Sequence, residues 1–195
     1  MYEIAKILDM LTGGFIRANH ITAISLAGHI LLLLAIIEGK FDAAAIFLIG
    51  FGLMDALDGA VAKYQGRESA KGELIDSVAD RIKEALLYGG LVYYFAEQLN
   101  PTAALLALFT LGLSFAVTFV KARGEVSFLT ENTDSKAAKE INRKYGVGLF
   151  GYEVRMAVMV VGFIFKQPEY ALYVILIGCA VTFIQRFVAV IKSLK

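Results

Sequence analysis

Cysteine occurs once in this 195-residue chain, as Cys179 in the last apolar stretch, which excludes an intrachain disulfide and a thiolate metal cluster. Histidine is nearly as scarce: His20 and His29 have no partner at metal-ligand spacing, and both read as helix-packing or interfacial residues. Charge is thin as well. Only 19% of residues are charged, and the net value of +1 gives no reason to expect a nucleic-acid partner. There is no internal repeat and no low-complexity run. The first 17 residues lack the basic start and unbroken apolar core of a secretory signal; Glu3, Lys6 and Asp9 are spread among apolar residues and the segment ends in Gly13-Gly14. That pattern predicts an amphipathic helix lying on a membrane interface over residues 1–18.

Apolar side chains are what the sequence does have. They make up 58% of the chain, and a mean hydropathy of +0.66 is that of an integral membrane protein. Six apolar stretches, at residues 21–37, 43–54, 85–96, 101–120, 156–165 and 170–184, predict an all-α membrane domain of six transmembrane helices over residues 19–195. A helix needs about 20 residues to cross about 30 Å of hydrocarbon. Only the first and fourth stretches approach that length, so other spans must take in charged residues. The second reaches full length if it continues through Asp55 and Asp58 to Lys63, and the third if it starts near Gly72 and carries Asp76 and Asp80.

Turn and charge punctuation places the connections at residues 38–40, 64–71, 97–101, 124–148 and 166–169, with a short surface helix expected over 135–144. With the amino terminus in the cytoplasm, Lys63, Arg67, Lys71, Lys121, Arg123 and the basic residues of 136–144 all fall on the cytoplasmic side, against Lys40 and Lys166 outside. The positive-inside bias therefore puts both termini and the two charged loops in the cytoplasm. Tyr93, Tyr94, Tyr170 and Tyr173 fall near outer helix ends and Tyr64 and Tyr152 near inner ones, where tyrosines serve either as interfacial anchors or as helix-packing residues.

The segment with chemistry in it reads Asp55-Ala-Leu-Asp58-Gly59-Ala-Val-Ala62-Lys63, eight further residues, then Gly72-Glu-Leu-Ile-Asp76-Ser-Val-Ala-Asp80. On helices, Asp55 and Asp58 are i,i+3 and Asp76 and Asp80 are i,i+4, so each pair shares a face. Two antiparallel helices joined by a short loop would oppose the pairs, and the small Gly59, Ala62 and Gly72 would leave space for a ligand or a close backbone. An ionised carboxylate in the bilayer costs at least about 2.5 kcal/mol. Four of them require compensation, and hard oxygen donors suit two magnesium ions, with manganese an alternative. A pair of such ions clamps the attacking and leaving oxygens of a phosphoryl displacement. A divalent cation transporter also needs intramembrane carboxylates, but transport favours the bilayer midplane, whereas these lie at one end of their helices.

The segment resembles the signature of the CDP-alcohol phosphatidyltransferase family, D-x-x-D-G-x-x-A-R followed by G-x-x-x-D-x-x-x-D, with Lys63 in place of the arginine. The resemblance implies that Asp55, Asp58 and Asp76 are metal ligands and that Asp80 both contributes to metal binding and is the general base. It also implies that Gly59 and Ala62 lie against the cytidine of a CDP-lipid, that Lys63 faces its phosphates, and that Asp55 and Gly72 belong to the same donor site. Asn19-His20-Ile21-Thr22 resembles the family's P-N-x-x-T stretch, with Ala18 for proline, and so adds Asn19 and Thr22 to the donor site. Asn19 is equally suited to cap the first span.

Lys121-Ala-Arg123-Gly-Glu125 and Gly151-Tyr-Glu153-Val-Arg155 resemble segments of the inositol-phosphate-using branch, which includes the archaetidylinositol and phosphatidylinositol phosphate synthases. Lys121, Arg123 and Arg155 then form a cationic pocket for a phosphorylated acceptor, or else snorkel to lipid headgroups. The expected reaction transfers a lipid phosphate from a CDP-diacylglycerol or CDP-archaeol donor to an inositol phosphate hydroxyl and releases CMP; glycerol 3-phosphate and serine are the alternative acceptors. The resemblance further implies a homodimer in contact with membrane lipids, its active site open to the cytoplasm.

Overall fold

The structure is a computed structural model that describes residues 1–131 and 148–193. The expected 135–144 helix lies outside those residues. Among the described residues there are seven helices and no strand: α1 (Tyr2–Thr12), α2 (Ala18–Ile37), α3 (Phe41–Tyr64), α4 (Ala70–Glu97), α5 (Pro101–Glu131), α6 (Tyr152–Ile164) and α7 (Pro168–Ser193). They fall into two compact units, Met1–Ala104 and Leu105–Lys195.

Four helices, α2, α3, α5 and α7, are long and apolar enough to cross a membrane. α4 is long enough, but its first 15 residues carry Lys71, Glu73, Asp76, Asp80, Arg81, Lys83 and Glu84. α6 has 13 residues, which at about 1.5 Å per residue falls short of a full crossing.

In the first unit α2 packs against both α3 and α4, and α1 packs against α3. Small residues make these approaches possible. A Cβ on Gly28 of α2 would stand 2.1 Å from the Phe51 ring of α3, and one on Gly90 of α4 would stand 2.9 Å from Leu33 of α2. His29 is buried in the same layer, with Nδ1 2.9 Å from the Ser25 carbonyl and its ring against Phe51. α1 presents Ala5 and Leu8 to Val61, Leu57 and Tyr64 of α3. Ile4, Ile7, Met10 and Leu11 of the same helix are exposed at a helical spacing. Gln65, just past α3, ties this corner together: its Nε2 donates to Asp9 Oδ1 at 2.7 Å and to the Ile16 carbonyl at 3.0 Å.

Two expectations are corrected. The N-cap of α2 is Arg17, in extended backbone, and Asn19 lies in the first turn. The Arg17 N–H donates to His20 Nδ1 at 3.4 Å, so the histidine three residues on satisfies the N–H of the cap residue itself. The connection expected from residue 124 begins later. α5 continues to Glu131 with Gly124 inside it, where the glycine serves close packing: a Cβ there would lie 2.5 Å from Val190 of α7. The Lys121–Glu125 ion pair at 3.7 Å spans one further helical turn. The tyrosines divide between their two readings, since Tyr94 packs edge-on against Phe41 while Tyr170 is exposed.

Candidate active site

The chain between α3 and α4 sets the local geometry. Gly66 adopts φ 61°, a left-handed conformation open to glycine, and ends α3. Ser69 then caps α4, its Oγ accepting from the Gly72 N–H at 3.1 Å. Around this turn lies a cavity of about 740 Å³ walled by three helices of the first unit. From α2 and its cap come Arg17, Ala18, Asn19 and Thr22; from α3 and its end, Asp58, Gly59, Ala62 and Gln65; from the turn and α4, Arg67, Glu68, Ser69, Ala70, Gly72, Glu73 and Asp76. A Cβ on Gly59 would meet nothing within 4 Å, so that position faces open space.

Of the residues expected at the donor site, Asn19, Thr22, Gly59, Ala62 and Gly72 line this cavity together with Asp58 and Asp76. Lys63 does not; it is exposed, and the cations at the cavity wall are Arg17 and Arg67. Neither arginine was expected there from the sequence, nor was Gln65. The only signal for Arg17 was its place two residues before Asn19.

The four aspartates are divided into two settings. Asp58 is buried, 4% exposed, and its Oδ2 accepts from the Thr22 hydroxyl at 2.6 Å. Asp76 shares the cavity wall with it. Asp55 and Asp80 meet instead at Lys83 of α4, whose Nζ lies 2.6 Å from Asp55 Oδ1 and 3.4 Å from Asp80 Oδ1. The Lys83 side chain is wholly buried. Beside it the buried Glu84 is paired with Arg81.

Among the described residues no three ligating side chains converge to enclose an ion. The donor set nonetheless fits divalent metal. It consists of hard carboxylate oxygens, and Asp55 Oδ2 is buried without a hydrogen-bond partner, so that an acceptor is left for a cation to satisfy. Asp55, Asp58, Asp76 and Asp80 are the residues that would hold such ions.

The cationic residues expected at the acceptor site belong to the second unit. Lys121 pairs with Glu125, and Arg123 is exposed. Arg155 is 1% exposed and donates through Nη1 to the Phe150 carbonyl at 2.9 Å. Phe150 is itself held by its N–H, which donates to Thr182 Oγ1 at 3.1 Å. A second buried guanidinium, Arg186, donates to the Val117 carbonyl at 3.1 Å and lies within electrostatic reach of both Arg155 and Glu125. The sequence signal for Arg186 was a cation within a largely apolar stretch of α7, six residues before Lys192.

Residues 15–185 match the CDP-alcohol phosphatidyltransferase family. The chain belongs to that family. It is 30% identical over 183 residues to a phosphatidylinositol phosphate synthase of Corynebacterium glutamicum, covering 91% of this chain and 79% of that protein. A phosphatidylinositol phosphate synthase of Streptomyces avermitilis is 28% identical over 165 residues, 78% of this chain and 63% of that one. The fold is that of the Mycobacterium tuberculosis phosphatidylinositol phosphate synthase crystallised with CDP-DAG bound, with TM-score 0.79, 22% identity and coverage of 97% of this chain and 92% of that one. The same enzyme in complex with manganese and citrate aligns with TM-score 0.80 and 21% identity, covering 97% and 88%. This family and the four helices long and apolar enough to cross a membrane make the chain a membrane enzyme.

Proposed function

We propose that this enzyme transfers the lipid phosphate of a CDP-activated lipid, CDP-diacylglycerol or CDP-archaeol, to a hydroxyl of inositol phosphate and releases CMP. The observation that carries the reading is the cavity shared by α2, α3 and α4, in which Asp58 and Asp76 face small residues and the arginines 17 and 67. That is a space with room for a nucleotide, carboxylates for divalent metal, and cations for phosphate. The names of the Corynebacterium and Streptomyces relatives and the CDP-DAG-bound neighbour support the donor and the acceptor.

In this reading two magnesium ions, or manganese, supply positive charge to the diphosphate and the leaving group. Asp80 takes the proton of the acceptor hydroxyl, the oxygen attacks the β-phosphorus, and the phosphoanhydride bond breaks to free CMP. Thr22 holds Asp58 in place, and Gly59 and Ala62 leave the nucleotide its space. Lys121, Arg123, Arg155 and Arg186 select a phosphorylated acceptor. α1 lies on the membrane interface, α2 to α7 form the membrane domain with the active site and both termini on the cytoplasmic face, and the enzyme is a homodimer among membrane lipids.

An acceptor panel tests the assignment. With purified protein, CDP-lipid and magnesium, inositol 1-phosphate is expected to yield phospholipid, whereas free inositol and serine are not; efficient use of glycerol 3-phosphate instead would reassign the acceptor. Arg155→Ala removes a planar donor fork, and the expected loss is about 1.5–3 kcal/mol of acceptor binding. That is roughly tenfold to a hundredfold in the acceptor KM, with the donor KM little changed. Equal losses for donor and acceptor would make Arg155 an anchor for the Phe150 backbone and leave the inositol phosphate reading without its main support.

A further inference from the structure

Lys83 is the one group in the aspartate cluster that the metal-and-nucleotide reading does not use. Burying an ammonium is costly unless it is paired, and this one is fully buried with its Nζ against Asp55 Oδ1 and Asp80 Oδ1. It starts from α4 and reaches α3, so it joins the two helices that carry the aspartates. It also takes one oxygen from each of two carboxylates that would hold the ions, leaving Asp55 only Oδ2.

We propose that Lys83 is a built-in counter-ion of the site, a positioning residue that holds Asp55 and Asp80 in register and lowers the site's intrinsic affinity for divalent cations, so that metal is bound tightly only together with the negatively charged diphosphate of the donor. The proposal rests on the metal reading above. Its physical content is a competition. Four carboxylates without a fixed cation would repel one another and draw in any divalent ion; with Lys83 among them, the ion meets a like charge a few ångströms away. Even at the dielectric constant of water, that repulsion changes affinity by about tenfold, and by more in a partly dry site. The diphosphate adds negative charge on the far side of the ion and offsets the lysine. Metal and donor then tighten each other's binding, as linkage requires.

The test measures manganese binding by electron paramagnetic resonance on full-length protein in detergent, with and without CDP. Lys83→Met is expected to bind manganese about tenfold tighter or more in the absence of nucleotide, so that it no longer needs CDP to hold the ion as tightly as the wild type does with CDP. Lys83→Gln, which keeps a hydrogen-bond donor for Asp55 but no charge, is expected to do the same and serves if the methionine variant does not fold. Lys83→Arg is expected to stay near wild type. Manganese affinity that is unchanged or weaker in both neutral variants overturns the proposal. Asp58→Asn separates this from a failure of the metal reading: if wild type and Asp58→Asn bind manganese alike, or neither binds it, the metal site itself is wrong.

Discussion

Asp80→Asn is expected to bind CDP-lipid and divalent metal yet turn over about 10²–10⁴-fold more slowly, the range contributed by a general base. The amide keeps the volume of the side chain and still offers an oxygen to Lys83, whose Nζ stands 3.4 Å from Asp80 Oδ1, so the helix pair has no reason to rearrange. What is lost is the ability to take the acceptor's proton. The measurement is a split of kcat from the KM of each substrate, alongside manganese binding. A fall confined to kcat fits the role; a change confined to KM contradicts it and returns Asp80 to binding alone.

Asp58→Asn is different in kind, because here the metal charge balance fails before any chemistry begins. Asp58 is the most buried of the four aspartates, and its Oδ2 accepts from Thr22, a bond that the amide oxygen of asparagine preserves. The fold and membrane insertion are therefore expected to survive. Removing one carboxylate from a cluster that compensates divalent charge is expected to weaken manganese binding and to lower turnover by about a hundredfold to a thousandfold, the scale of losing a dominant electrostatic contact to the reacting group. Near wild-type turnover in this variant would remove Asp58 from the site.

The helices of the first unit were legible from local pattern, and part of its cavity lining, Asn19, Thr22, Gly59, Ala62 and Gly72, from the resemblance to the family signature. Helical periodicity is local, so Asp55, Asp58, Asp76 and Asp80 could be placed on faces from spacing alone, and the extension of α3 to Tyr64 followed from the length a span requires. What was not legible depends on tertiary placement. Lys83 looks like another charge on α4 until Asp55 of α3 is seen 2.6 Å away. Lys63, matched to the family's arginine, turned out to be exposed, while Arg17 and Arg67 stand at the cavity because the α2 cap and the α3–α4 turn bring them there. Gly124 read as a break, since glycine ends helices more often than it packs them; only Val190 opposite reveals its use. Asn19 was as well suited to capping as to the donor site, but the helix starts at Ala18, two residues earlier than a cap at Asn19 allows, which leaves Asn19 at the cavity.

The most direct test of the central claim is the stoichiometry of CMP release. Purified enzyme is incubated with CDP-diacylglycerol, magnesium and inositol 1-phosphate, and CMP and new phospholipid are quantified together. The account predicts one CMP per phospholipid formed, none without acceptor, none in the presence of chelator, and recovery on adding magnesium or manganese. No CMP from any CDP-lipid and acceptor combination, with metal-dependent ion flux through liposomes that needs no nucleotide, would contradict it.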